Sequence, residues 1–139
     1  MIKEKREMAC LVPYKKEGGD LLFFMQKRDK DAARAPGVFG MFGGGMDEGE
    51  SPKEGMLREV QEELTYTPVD ARYFSRYETA IGIYHIFIEE VGGDFESKVK
   101  VNEGEYGKFL SLADMDQLTD ISMTAHLVAE QMADKLITN

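Results

Sequence analysis

Gly44-Gly45-Met46-Asp47-Glu48-Gly49-Glu50-Ser51-Pro52-Lys53-Glu54-Gly55-Met56-Leu57-Arg58-Glu59-Val60-Gln61-Glu62-Glu63-Leu64-Thr65-Tyr66 holds the densest information in this chain. Its first part is a glycine-rich loop and its second part carries a helix start. Ser51 is a good N-cap, Pro52 suits the first helical position, and Glu54 completes a Ser-x-x-Glu capping box, so the spacing predicts a helix over Pro52–Leu64. Advancing ~100° per residue from Glu59 puts Glu62 at about −60° and Glu63 at about +40°, while Met56, Leu57, Val60 and Leu64 span about +60° to +160°. Three carboxylates therefore share one face, at the margin of the apolar stripe that anchors the helix in the core. Glu59 leans toward the helix start over Gly55 and Pro52, both compact, and a cavity is expected there.

Carboxylates ~6 Å apart repel by about 0.7 kcal/mol per pair in water and by nearly 3 kcal/mol at an effective dielectric of ~20. A partly dehydrated cluster of three needs a counter-ion, and Arg58 neutralises only part of it. Spacing alone fits a solvated acidic face, but hard oxygen donors in that number also suit Mg²⁺, with Mn²⁺ as a substitute, held by carboxylates together with substrate phosphates. The glycine loop before the helix lets backbone carbonyls and amides approach a metal or phosphate closely.

Around this segment the chain reads as one α/β domain over its 139 residues. Apolar residues make up 42% and charged residues 31%, and the 17 basic against 26 acidic side chains leave a net charge of −9. That balance excludes nucleic-acid polymers and anionic membrane surfaces as partners, and leaves a small anionic substrate if positive charge is recruited locally. The single cysteine, Cys10, has no partner within the chain and reads as a buried thiol. A charged N-terminus from Met1 to Met8, without an apolar stretch of signal-peptide length, makes the cytoplasm the default location.

Residues 7–15 and 21–28 read as strands joined at Gly18-Gly19-Asp20, and both faces are apolar at the centre, so the sheet is expected to be covered on both sides. Asp29–Gly45 reads as loop with a short apolar interruption. Further strands are expected at Ala71–Thr79, Gly82–Glu90, around Lys98–Val101 and at Lys108–Ser111, with a turn at Gly92-Gly93-Asp94. Ile121, Ala125, Val128, Met132 and Leu136 mark one face of a closing amphipathic helix. His85 and His126 read as structural, and the methionines as filling packing gaps.

Written as Gly44-x5-Glu50-x7-Arg58-Glu59-Val60-x-Glu62-Glu63-x-Thr65-Tyr66, the segment closely resembles the Nudix box, Gly-x5-Glu-x7-Arg-Glu-aliphatic-x-Glu-Glu-x-Gly-aliphatic. Pro36-Gly37-Val38-Phe39-Gly40 is similar to the family's approach to that loop, and Glu103-Gly104 followed by Phe109-Leu110-Ser111-Leu112 is similar to a later family loop and strand. Thr65 stands where the family has glycine, and a β-branched residue is strained in the left-handed conformation, so the helix exit is expected to differ. Tyr66 stands where an aliphatic residue is usual.

The resemblance implies an α/β/α sandwich with a mixed β-sheet and Mg²⁺-dependent cleavage of the pyrophosphate linkage in a nucleoside diphosphate derivative. It implies Glu59 and Glu63 as metal ligands, with Glu62 assisting and the Gly44 carbonyl as a further ligand. Glu50 and Arg58 become a salt bridge that holds the loop against the helix, and Arg58 also orients the glutamates. Glu103 is the first candidate for general base, with Glu62 and Glu63 as alternatives. Arg28 is a candidate phosphate contact and Phe39 a candidate base-stacking residue, as are Tyr84 and Tyr106; a solvated strand-end cation is the competing and favoured role for Arg28, and core packing for the aromatics. A small nucleoside triphosphate, oxidised or not, ranks first as substrate, ahead of nucleotide sugars and dinucleoside polyphosphates. ADP-ribose is disfavoured because Ile81 stands near the place where that branch has a proline. A Nudix-fold module that senses a nucleotide without hydrolysing it is the non-enzymatic alternative. A homodimer is compatible with the sequence, but no interface pattern separates from the core.

Overall fold

The computed structural model describes residues 5–137; positions 1–4 of the charged N-terminus, with 138 and 139, lie outside it. Along the chain come β1 (Arg6–Glu17), β2 (Asp20–Lys27), β3 (Phe39–Gly40), β4 (Phe42–Gly45), α1 (Pro52–Leu64), β5 (Arg72–Glu78) and β6 (Gly82–Glu90). Then follow α2 (Phe95–Lys98), β7 (Tyr106–Leu110), α3 (Leu112–Gln117) and α4 (Met123–Ile137).

Gly18 and Gly19 take φ of 58° and 88° between the paired Glu17 and Asp20. Positive φ at both central residues is what a two-residue hairpin turn requires to match the strand twist. The sheet is mixed. β1 runs parallel to β6 from Arg6 opposite Gly82 to Tyr14 opposite Glu90, and every other ladder is antiparallel. Strand order is β3-β2-β1-β6-β5, with β4 on β1 and β7 on β2.

Alternation along β1 sends side chains into two cores. Cys10 and Val12 join Phe23, Met25 and the α4 residues Ala125, Val128 and Met132. Ala9 and Leu11 join Phe24, Phe42 and the α1 residues Met56, Val60 and Leu64. The result is the expected layered α/β arrangement, in which each large buried side chain contributes ~1.5–3 kcal/mol. This packing fixes α1 against β1 and β4, and so fixes its carboxylates.

Several expectations need correction. No strand forms around Lys98–Val101. Phe95 instead plugs the α1-side core among Phe24, Tyr66 and Phe109, forming the short α2. The amides of Lys100 and Asn102 then bond the Leu64 and Glu63 carbonyls at 2.9 and 2.8 Å, so the end of α1 satisfies donors that a ladder would have used. Residues 29–45 are not wholly loop, since β3 and β4 pair there with β2 and β1. Ile121 precedes α4 and bridges Phe39 rather than joining the helical face. The space expected over Pro52 and Gly55 is filled: a Cβ built on Gly55 would stand 3.0 Å from Met46 and 3.3 Å from Glu50. Among the described residues no helix is long and apolar enough to cross a membrane.

Candidate active site

Ser51 accepts from the Glu54 amide while Glu54 accepts from the Ser51 amide, so both halves of the capping box are made. One turn later Arg58 organises the junction between loop and helix. Its Nε and Nη2 donate to the two oxygens of Glu50 at 2.8 and 3.0 Å, and Nη2 also donates to the Gly45 carbonyl at 3.0 Å. Nη1 reaches Glu59 at 3.1 Å and Glu62 at 3.4 Å. Asp47, which the sequence reading did not single out, adds an oxygen 3.2 Å from Nε. A forked cation meeting carboxylates with both prongs is a strong, directional contact. It holds the Glu50 carboxyl down at about 2, and the Asp47 backbone amide donates to the same carboxylate.

Exposure of the helix carboxylates follows their angular position. Glu63, nearest the apolar stripe, is 5% exposed. The Glu59 and Glu62 side chains are 15% and 58% exposed. Burial raises the Glu63 carboxyl well above the ordinary carboxylate range; the Gly43 amide, donating at 2.8 Å, offsets part of this, and the neighbouring Glu103 and Glu59 charges add to it. Burial also raises Glu59, with Arg58 opposing. Behind them the buried Cys10 thiol is pushed up to about 12, by desolvation first and then by Glu63 and Glu59, which leaves it inert.

Glu103 lies on the exposed loop before β7, its carboxyl beside that of Glu63. Side chains of Gln26 and Asn102 help to hold this loop. Gln26 Nε2 donates to the Glu103 carbonyl at 2.9 Å, and Asn102 Nδ2 donates to the Glu62 carbonyl at 3.2 Å and to Thr65 Oγ1 at 2.7 Å. Thr65 itself adopts φ 49° and ψ 49°, so the helix exit keeps the left-handed cap despite the missing glycine. The strain of ~1–2 kcal/mol is offset locally by the Asn102 contact, for which glycine has no acceptor side chain. Tyr66 has an equally specific reason to be aromatic: its hydroxyl donates to buried Glu89 at 2.6 Å, which also accepts from the Val69 and Asp70 amides.

Successive residues of β4 face opposite ways. A Cβ on Gly44 would stand 2.8–2.9 Å from the Glu59 carboxyl group, and one on Gly45 would stand 2.6 Å from the Arg6 guanidinium. The carboxylate cluster and Arg6 thus flank the same strand. Gly43, Gly44 and Gly45 also line a cavity of about 560 Å³, together with Arg28, Arg34 and Tyr84. Arg28 donates Nε to the Arg34 carbonyl at 2.9 Å, which braces the loop after β2. Phe39 is 5% exposed in the core, with Lys27 Nζ 4.7 Å from its ring centroid, and is not part of the cavity wall. His85 is held by Glu7 at 2.8 Å and by the Tyr73 hydroxyl at 2.9 Å, outside the site. Arg6 and Arg34 escaped the sequence reading because nothing in their local spacing links them to the helix.

The donor chemistry suits a divalent cation. Glu63 is a buried carboxylate with no cationic partner among the described residues, and hard oxygens of Glu59 and Glu62 lie on the same face. As the side chains stand, no group of three His, Cys, Asp or Glu among the described residues converges on one point. Arg58 draws Glu59 and Glu62 toward itself, and the Gly43 amide holds Glu63.

A Nudix domain model matches residues 4–131, and the chain belongs to the Nudix hydrolase family. Members generally use a divalent metal such as Mg²⁺. The Nudix domain of Shewanella oneidensis NrtR, solved with ADP ribose, superposes with a TM-score of 0.78 at 18% identity, over 97% of this chain and 90% of that one. The MutT protein of Methanosarcina mazei gives 0.72 at 20% identity, over 98% of both chains. A C. elegans Ap4A hydrolase gives 0.68 at 20% identity, over 96% of this chain and 99% of the other. These likenesses establish the fold. Comparison with curated proteins gives no match.

Proposed function

We propose that the chain, acting as one domain, is a Mg²⁺-dependent hydrolase that cleaves the pyrophosphate linkage of a nucleoside diphosphate derivative. One observation carries this reading: Gly43 and Gly44 line the cavity, and at the same strand the Gly43 amide bonds Glu63 while Gly44 lies against the Glu59 carboxyl group, so the cavity and the carboxylate cluster of α1 adjoin across β4. Glu59, Glu62 and Glu63, with the Gly44 carbonyl, would hold the metal. When bound, Mg²⁺ or its substitute Mn²⁺ supplies charge neutralisation for the diphosphate and activation of water. Arg58 fixes the glutamates and the loop through Glu50 and Gly45, which limits rearrangement during the reaction. Glu103 takes the proton of the attacking water at its carboxylate, since it stands beside Glu63 yet remains exposed; Glu62 is the alternative base.

The relatives support the class of ligand. One was solved with ADP ribose and another is an Ap4A hydrolase, and both are small nucleotide ligands. The test is phosphate release from a nucleotide panel with and without Mg²⁺, comparing the native chain with Glu63→Gln. Metal-dependent release by the native chain, reduced at least about a hundredfold in the variant, is expected. Equal turnover by both proteins overturns the assignment.

A further inference from the structure

Arg58, Arg72 and Arg76 each bond a carboxylate. Arg6, Arg28 and Arg34 differ: all three line the cavity of about 560 Å³, and among the described residues none of them has an ion-pair partner. No Asp or Glu is among the described residues that line it. In a chain with a net charge of −9, this wall inverts the local sign of charge. Arg28 is half-buried and Arg6 and Arg34 are exposed, so the three charges stand open to an anion arriving from solvent.

The three positions divide the cavity. The guanidinium of Arg6 packs on Gly45, next to the glycine that Glu59 touches. Arg28 and Arg34 stand toward the other end, where the Arg28 amide bonds the Val38 carbonyl at 3.0 Å just before β3. From Gly45 to Gly40 the chain covers at most about 17 Å. Ser122 and Thr124 add hydroxyl donors to the wall.

We infer that Arg6, Arg28 and Arg34 form an anion-binding wall that selects substrates carrying a phosphate beyond the scissile diphosphate. That group is either a phosphate on the ribose or further phosphates in the chain. This inference rests on the hydrolase reading and narrows it. Arg6 serves the diphosphate itself, and Arg28 with Arg34 serves the additional group. An uncharged base edge is satisfied by a single forked arginine, so it does not account for three. Guanidinium forks match phosphate oxygens in pairs, which suits a charged group at each end of the cavity.

Binding is measured calorimetrically on the native chain in EDTA, with two matched pairs of probes. Coenzyme A against its 3′-dephospho form tests a ribose phosphate, and diadenosine tetraphosphate against diadenosine diphosphate tests a longer chain. The added phosphate is expected to lower Kd about tenfold or more in at least one pair, and the pair that responds identifies the source. Arg34→Gln, whose side chain bonds no described residue, is expected to remove most of that advantage, and Arg28→Gln to act likewise. Equal Kd values in both pairs overturn the inference, as does an advantage that survives both variants. A preference for guanine over adenine nucleotides of equal charge, with no gain from added phosphate, also overturns it. Because metal is chelated, a chain that binds as expected but hydrolyses nothing upholds the wall and overturns the hydrolase reading. A chain that hydrolyses yet binds both pair members equally does the reverse.

Discussion

Gly43 and Gly44 are neighbours, yet a methyl group on each meets a different obstacle. On Gly43, at φ 133°, it would stand 2.3 Å from the Ala9 carbonyl oxygen, which is backbone and cannot yield. On Gly44 it would meet only the end of the Glu59 side chain, 2.8 Å away. Gly43→Ala should therefore lose about 3 kcal/mol or more of stability in urea unfolding. Gly44→Ala should lose less than about 1 kcal/mol, while its metal-dependent turnover falls at least about tenfold because the Glu59 carboxylate is displaced. The Glu50 carboxyl, held at about 2 by Arg58 against an ordinary 4.5, gives a prediction in pH. A depressed carboxyl adds stability that is complete above its ordinary value and is lost as pH falls toward the folded one. The urea midpoints of native protein and Glu50→Gln should then differ most above pH 4.5 and converge toward pH 2. Of these residues, the helix acids were legible from spacing, since i+3 and i+4 relations survive folding, whereas the Glu50–Arg58 pair, eight residues apart, was legible only through the family resemblance. Asp47, Arg6 and Arg34 were not, because their proximity to the site is created by strand pairing and loop closure.

Helix α1 was readable at its start but not at its exit. Its start follows from the capping box, a local device. Its exit depends on tertiary partners: Thr65 keeps the left-handed conformation with Asn102 bonded to its hydroxyl, and Tyr66 bonds Glu89 of β6. Sequence pattern alone reported Thr65 as a fault in the cap, because the compensating residue lies 37 positions away. The missing strand at Lys98–Val101 has the same origin, as the Lys100 amide, and that of Asn102 just beyond, are spent on the α1 carbonyls. Tyr66→Phe should leave the buried Glu89 short of one donor, lowering stability by about 1–3 kcal/mol in urea unfolding. An unchanged midpoint would mean that the Val69 and Asp70 amides alone satisfy that carboxylate.

Across the whole molecule, charge is partitioned by the sheet. Acids of α1 stand on one side of β4 and the guanidinium of Arg6 on the other, so one strand carries both a cation-seeking and an anion-seeking surface. Composition disclosed only the sum of these, an acidic chain, and the layered fold followed from apolar faces whose alternation both cores preserve. The proposed chemistry depends on the α1 carboxylates binding a divalent ion, and Mn²⁺ binding followed by electron paramagnetic resonance tests that without reference to any substrate. Native protein should bind Mn²⁺ at least about tenfold more tightly than either Glu59→Gln or Glu63→Gln, at unchanged helical content. Equal Mn²⁺ affinity in all three proteins would contradict it.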